Sequence, residues 1–163
     1  MAEIFMKNKT CCFTGHRKIQ KSETKEIQKS LEKELIKLIS QGVKYFGVGG
    51  ALGFDTLAAQ TVLKLKKNHP HIKLILVIPH KEQTKNWHNK DIKTYNQILK
   101  KADKIVYTSE HYRQGCMHVC NRHLVDNSRY CIAYLNQNKG GTAYTVNYAK
   151  QKELQIINLA DMS

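Results

Sequence analysis

The chain has 163 residues, of which 41% are hydrophobic and 25% are charged, so it is long enough for one domain with its own buried core. Its formal net charge of +14 favours anionic partners but identifies no groove for them. No apolar run is long enough for a membrane span, and no apolar segment with a small-residue cleavage site follows the N-terminus. We therefore expect a single cytoplasmic domain over residues 1–163 that binds no membrane.

The first predicted strand is Thr10–Thr14, and the apolar spacing after it predicts a helix that Ser22 caps and Gly42 ends. One stripe of this helix is apolar: Ile27, Leu31, Leu35, Leu38 and Ile39. Lysines recur every four residues on another stripe, which indicates a solvent-exposed face before it indicates a binding surface: Lys21, Lys25, Lys29, Lys33 and Lys37.

The next predicted elements are a strand at Val43–Val48, a helix at about Asp55–Lys67 and a strand at Lys73–Pro79. A helix at Asn89–Lys101 and a strand at Lys104–Thr108 follow. The strands are rich in Val, Ile, Tyr and Phe and are largely continuous in their apolar character. That pattern is typical of strands covered on both faces.

The last predicted elements are a helix at about Met117–Val125, a strand at Tyr130–Leu135, a helix at Thr142–Lys152 and a strand at Gln155–Leu159. Regular alternation of strands and helices predicts an α/β fold, a Rossmann-like three-layer α/β/α domain with a mainly parallel central sheet. No repeat or low-complexity linker suggests a second domain.

Three predicted strand ends lead into glycine-rich or basic loops. These loops are Thr14–Arg17, Gly47–Asp55 and Asn138–Thr142. Ligands of open parallel sheets bind beyond the carboxyl ends of the strands, where the amides of helix N-termini are free. Three such loops at one edge predict an anion site, whereas the alternative for any one of them is a tight turn without a ligand.

Each polar residue near these loops has more than one interpretation. Arg17 and Arg122 are suited to bidentate contacts with phosphate, and Thr142 offers an amide and a hydroxyl. Asp55 either caps the second helix or accepts from a ribose hydroxyl, with capping slightly favoured. His16 either bonds a ligand, as a hydrogen-bond partner or proton carrier, or has a structural role.

The cysteines are odd in number, and free thiols are expected for all five: Cys11, Cys12, Cys116, Cys120 and Cys131. Cys11 and Cys12 lie inside a predicted strand, so we interpret them as core residues rather than nucleophiles. A short stretch combines cysteine and histidine without the spacing of a standard zinc site: His111, Cys116, His118, Cys120 and His123. We predict no metal and no cofactor.

Four stretches, in this order, resemble the SLOG superfamily of Smf/DprA DNA-processing proteins and LOG phosphoribohydrolases, and within it the small stand-alone YpsA-like proteins. They are Phe13–Arg17, Gly49–Ala59, Asn121–Asp126 and Gly140–Ala143. The resemblance implies a Rossmann-like nucleotide-binding domain whose pocket these stretches build.

Together with the loop chemistry, the resemblance gives the predicted ligand-binding set: Gly15, His16, Arg17, Gly49, Gly50, Gly53, Asp55, Asn121, Arg122, Gly140, Gly141 and Thr142. One departure is Cys120, because relatives often carry Arg-Asn-Arg where this chain has Cys-Asn-Arg. The missing arginine removes one phosphate contact that the family pattern implies.

A second departure bears on catalysis. LOG-type hydrolases follow a Pro-Gly-Gly-x-Gly-Thr loop with glutamates, whereas the corresponding Lys139–Val146 segment has no carboxylate. Cleavage of a glycosidic bond passes through an oxocarbenium-like state that a carboxylate stabilises. Asp55 and Glu82 are other carboxylates, but the sequence does not place them, so no catalytic residue is assigned.

The leading hypothesis is therefore a binding protein that senses or sequesters a phosphate-bearing nucleotide or a nucleotide-derived molecule, for example of the ADP-ribose type. One alternative is a LOG-like hydrolase of nucleoside monophosphates. Another is DprA-like binding of single-stranded nucleic acid, for which the aromatic candidates are scattered along the chain: Trp87, Tyr95, Tyr112 and Tyr144. SLOG relatives often pair, so a homodimer is also left open.

Overall fold

The computed structural model describes residues 6–162, which form three layers around a six-stranded sheet. The strands are β1 (Thr10–Gly15), β2 (Tyr45–Val48), β3 (Lys73–Ile78), β4 (Lys104–Tyr107), β5 (Tyr130–Tyr134) and β6 (Gln155–Asn158). The helices between them are α1 (Lys21–Ser40), α2 (Phe54–Lys66), α3 (Asn89–Lys101), α4 (Cys116–Asp126) and α5 (Gly140–Gln151). A 3₁₀-helix, Leu159–Met162, follows β6.

The strand order is β4-β3-β2-β1-β5-β6, and every pairing among the described residues is parallel. The chain builds outward from β1 through β4 and then returns to place β5 on the other side of β1. The order therefore reverses between β1 and β5, which is where open sheets of this type form a ligand crevice. The predicted Rossmann-like three-layer fold is confirmed, and the described sheet is parallel throughout.

Two apolar clusters lie on opposite faces of this sheet. Cys11 and Phe13 of β1 join one cluster with residues of α1, α2 and α3, whereas Cys12 joins the other with residues of α4 and α5. This division follows from the two-residue period of a strand, which sends successive side chains to opposite faces. The interpretation of Cys11 and Cys12 as core thiols is confirmed, since both are buried.

Most predicted elements are confirmed, with shifts of a few residues at their ends, and α3 has the predicted bounds. The predicted cap of α1 is wrong: the helix begins at Lys21, so Ser22 lies within its first turn. Gln20 precedes the helix in an extended conformation and makes no side-chain capping bond. The lysine stripe of α1 is exposed along its whole length, as expected of a solvated face.

The two edge strands do not fit the prediction that both faces are covered, because no residue of β6 is fully buried and β4 is more exposed still. In β4 only Val106 is half-buried, and the other three residues are exposed. The physical reason is the position of β4 at the edge of the sheet, where fewer helices pack against it. None of the helices within residues 6–162 is long and apolar enough to cross a membrane.

Candidate functional site

A cleft of about 480 Å³ opens at the carboxyl edge of the sheet, where the β1 and β5 loops meet. Nine of the twelve residues predicted to bind ligand line this cleft: Gly15, His16, Arg17, Gly49, Asp55, Asn121, Gly140, Gly141 and Thr142. The cleft is also lined by seven residues outside that set: Thr14, Ala51, Met117, His118, Cys120, Gln137 and Lys139. The fold thus brings segments from both halves of the chain to one place.

The loop after β1 is held against the start of α2. The Phe54 amide donates a hydrogen bond to the His16 carbonyl at 3.1 Å. A Cβ added to Gly15 would overlap the Phe54 ring, and that ring is fully buried. Packing therefore requires glycine at position 15, and the same residue also lines the cleft.

His16 connects the two loops that flank the reversal of strand order. Its Nε2 accepts a hydrogen bond from the Asn136 amide at 3.1 Å, and its ring meets Tyr134 edge-on at 6.2 Å between centroids. A ring nitrogen that accepts carries no proton, so the proton of the neutral ring lies on Nδ1. The structural role of His16 is therefore visible, and a ligand contact stays a prediction.

Asp55 lies at the second position of α2, whose N-cap is Gly53. Its Oδ2 accepts a hydrogen bond from the Ala51 amide at 3.1 Å. The predicted capping role is thus only partly right, because Asp55 binds an amide of the loop before the helix rather than an amide of the helix. Asp55 is 9% exposed and carries the one carboxyl group among the cleft-lining residues.

Burial raises the pKa of Asp55 to about 7, because the charged form loses solvation that its neighbours only partly replace. The Ala51 amide and the Arg17 guanidinium oppose this shift by favouring the carboxylate. About half of the molecules therefore carry a neutral Asp55 near pH 7. A carboxyl group poised in this way can hydrogen-bond as a donor or an acceptor, and it can exchange a proton.

Gly50 and Gly53 do not line the cleft, although both belong to the predicted set. A Cβ at Gly50 would lie 2.7 Å from the Ile78 side chain, on the side of β3. Gly53 has a φ of +75°, and a Cβ there would overlap the Arg17 carbonyl. These two glycines allow close packing of the loop, so packing explains why glycine occurs at both positions.

The start of α5 supplies the most open part of the cleft. The helix begins at Gly140 rather than at the predicted Thr142, so both glycines lie in its first turn. The amides of a first helical turn have no acceptor within the helix, and Lys139 at the N-cap makes no side-chain bond to them. A Cβ at Gly140 or Gly141 would meet nothing within 4 Å, so the space beside these two Cα atoms is open.

Arg122 is the predicted phosphate contact that does not line the cleft. Its Nη1 donates a hydrogen bond to the Tyr144 hydroxyl at 2.8 Å, which links α4 to α5. Asn121, one residue earlier, does line the cleft. Consecutive residues of a helix point about 100° apart, so the pair cannot share one orientation.

The relationship to known proteins extends over most of the chain. The family model described as the YspA SLOG family, named YpsA, matches residues 11–161. The chain belongs to the YpsA SLOG family. It is 33% identical over 132 residues to the UPF0398 protein BH1768 of Halalkalibacterium halodurans, covering 79% of this chain and 70% of that protein. It is 36% identical over 130 residues to the SPbeta prophage-derived protein YoqJ of Bacillus subtilis, covering 72% and 76%.

Solved structures of the DNA processing protein DprA share the fold. The Streptococcus pneumoniae protein matches with a TM-score of 0.66 at 16% identity, over 93% of this chain and 50% of that one. The Helicobacter pylori protein matches with a TM-score of 0.64 at 18% identity, over 95% and 66%. That Helicobacter pylori protein has a single-stranded DNA binding mode. This YpsA-family chain thus spans half the length of the first DprA protein and two thirds of the second.

Some cleft residues of this YpsA-family chain escaped the sequence prediction. His118 precedes Asn121 by three residues, so helical spacing places both on one face of α4. The His118 ring lies 4.1 Å from the Tyr144 ring between centroids. Gln137 and Lys139 lie in the loop between β5 and the glycines of α5, and a loop that follows a strand end was a signal available in the sequence.

The cysteine and histidine stretch of this YpsA-family chain does not converge. Cys116 and Cys120 are buried, whereas His111 and His123 are exposed. The Cys120 thiol donates to the Val77 carbonyl at 3.0 Å, and burial raises the pKa of this thiol to about 12. Between residues 6 and 162, no three His, Cys, Asp or Glu side chains are grouped closely enough to hold a metal ion.

Proposed function

We propose that this protein binds a phosphate-bearing nucleotide or a nucleotide-derived small molecule, such as one of the ADP-ribose type, in the cleft between the β1 and β5 loops. The observation that carries the proposal is the convergence of the free first-turn amides of α5 with Arg17 and Lys139 on one cleft. Amides at a helix N-terminus and a fixed guanidinium are the groups that bind phosphate oxygens in proteins.

The size and charge of the cleft agree with such a ligand. A volume of about 480 Å³ lies within the usual range of small-molecule sites, and the cleft lies at the reversal of strand order. Arg17 and Lys139 bring two positive charges to its lining, against one carboxyl group that is half neutral near pH 7. We place the phosphates at the start of α5.

Isothermal titration with AMP, ADP, ADP-ribose and inorganic phosphate tests the proposal. Loss of a charged hydrogen bond costs about 1.5–3 kcal/mol, so we expect Arg17→Gln to weaken nucleotide binding at least about tenfold. Arg122→Gln is the matched control, because Arg122 bonds Tyr144 and does not line the cleft. No binding of any nucleotide, or equal losses in the two variants, would contradict the proposal.

A second candidate is hydrolysis of the bond between base and ribose in a nucleoside monophosphate, and one observation favours it. The Gly140 loop lacks a carboxylate, but the fold brings Asp55 to the same cleft. A carboxyl group with a pKa near 7 is suited to proton transfer at neutral pH. Release of free base by the wild type, lost in Asp55→Asn and retained in Arg122→Gln, would establish this activity.

A third candidate is binding of single-stranded nucleic acid, which the net charge of +14 and the DprA-like fold support. The aromatic residues support it less, because Trp87 packs edge-on against Tyr95 at 5.4 Å and Tyr144 accepts a bond from Arg122. A mobility shift that persists at moderate salt would favour this candidate. The homodimer that the sequence leaves open is tested separately, by sedimentation of the free protein.

A further inference from the structure

The lining of the proposed nucleotide cleft divides into two parts. The β1 loop and the start of α5 contribute Arg17, Lys139 and free amides, which are the groups assigned to phosphate above. The first two turns of α4 contribute Met117, His118 and Asn121, none of which carries a fixed charge. A ligand that places its phosphates at the start of α5 therefore meets a different kind of wall at α4.

His118 is the ring of this wall, and it already belongs to an aromatic pair. Its ring centroid lies 4.1 Å from that of Tyr144, with 48° between the two planes. Tyr144 does not line the cleft, whereas His118 lines it and is half-buried. Tyr144 therefore packs behind the His118 ring, and the part of that ring which Tyr144 leaves uncovered meets the space of the cleft.

Hydrogen bonding within the chain explains His16 better than it explains His118. His16 is the other ring among the cleft-lining residues, and its Nε2 accepts a hydrogen bond from the Asn136 amide while its ring meets Tyr134 edge-on. The Nδ1 atom of His118 is buried and has no hydrogen-bond partner within residues 6–162. The chain thus holds the His118 ring by packing on Tyr144 rather than by a bond at Nδ1, which leaves a flat surface for an aromatic group of a ligand.

We propose that the aromatic base of the bound nucleotide stacks on His118, with Tyr144 behind that ring, while the phosphates lie at the start of α5. This inference rests on the nucleotide site proposed above and assigns the base to one wall of it. Tyr144 follows Gly140 by four residues, so about one turn of α5 separates the aromatic pair from the amides assigned to phosphate. The ribose of a nucleotide spans a gap of this order between base and phosphate. Because stacking tolerates any base, the subsite distinguishes nucleotides from sugar phosphates.

Isothermal titration of the full chain with AMP and with ribose 5-phosphate tests the proposal, because ribose 5-phosphate keeps the sugar and the phosphate and lacks the base. From the usual contribution of a stacked base, we expect AMP to bind at least about fivefold more tightly. His118→Ala should remove this preference by weakening AMP binding and leaving ribose 5-phosphate binding unchanged. His118→Phe keeps a ring and should keep the preference. It and the wild-type comparison keep the test decisive if His118→Ala does not fold.

His123→Ala is the matched control, since His123 is an exposed histidine of the same helix that does not line the cleft, and it should leave both affinities unchanged. Equal weakening of both ligands in His118→Ala would overturn the proposal, because it would show that His118 shapes the cleft or contacts the phosphate.

The outcomes also separate this proposal from the nucleotide site on which it rests. Equal affinity of the wild type for AMP and ribose 5-phosphate would overturn the base subsite and leave the phosphate site standing. Binding of neither ligand would overturn both. Tighter binding of single-stranded DNA than of AMP, lost in His118→Ala, would assign the ring to a base within a nucleic-acid strand and overturn the proposal for a free nucleotide.

Discussion

Asp55 couples the proposed nucleotide site to pH, and Asp55→Asn tests that coupling with little change in side-chain size. The carboxyl group lines the cleft together with Arg17 and Lys139. An anion placed there is repelled by the carboxylate and not by the neutral acid. Because burial raises the pKa of Asp55 to about 7, binding should be strongest below that pH and should weaken above it.

The magnitude follows from the pKa. If the anion binds only when Asp55 is neutral, the apparent Kd rises about tenfold from about pH 6 to about pH 8, which corresponds to about 1.4 kcal/mol. Asp55→Asn should match the wild type at the lower pH and bind about tenfold more tightly at the higher pH. The measurement is titration with ADP-ribose, whose diphosphate keeps its charge over this range.

His16 and His118 also line the cleft. Their contribution is common to both proteins, so the difference between wild type and Asp55→Asn isolates the carboxyl group. Cys120 lies near Asp55 but stays a neutral thiol over this range, because its pKa is about 12. If Asp55→Asn showed the same pH dependence as the wild type, the assigned role of Asp55 would be refuted.

Three further predictions concern stability, each measured by urea unfolding. Because the pKa of Asp55 is raised on folding, this group contributes to the free energy of unfolding of the wild type below about pH 4, and the contribution is lost as pH rises through about 7. Asp55→Asn should lack this dependence on pH. Gly53→Ala should lower the free energy of unfolding more than Gly42→Ala does. Both glycines have a positive φ, but only at position 53 would the added Cβ also overlap a backbone carbonyl. Equal losses of stability in the two variants would contradict this. Phe54→Ala should cost about 3–5 kcal/mol, since Phe54 is fully buried, and Ile36→Ala, at an exposed site, less than about 0.5 kcal/mol.

Much of the fold was predictable because its causes are local. The spacing of apolar residues identified the six strands and the five α-helices between them, and the α3 bounds agree at both ends, whereas the 3₁₀-helix at Leu159–Met162 was not predicted. Parallel strands place their carboxyl ends at one edge, so glycine-rich loops after β1, β2 and β5 were expected to meet there. The cleft brings together nine of the residues predicted from these loops and from the family resemblance.

Tertiary structure decided which way the side chains point and what they touch. Arg122 reaches Tyr144, 22 residues away, and His16 meets Asn136, 120 residues away, so neither contact follows from a local pattern. The burial of Asp55 likewise depends on how the β1 loop closes over α2. Local spacing thus determined the elements and the edge that carries the loops, and long-range packing determined the chemistry of the surfaces they form.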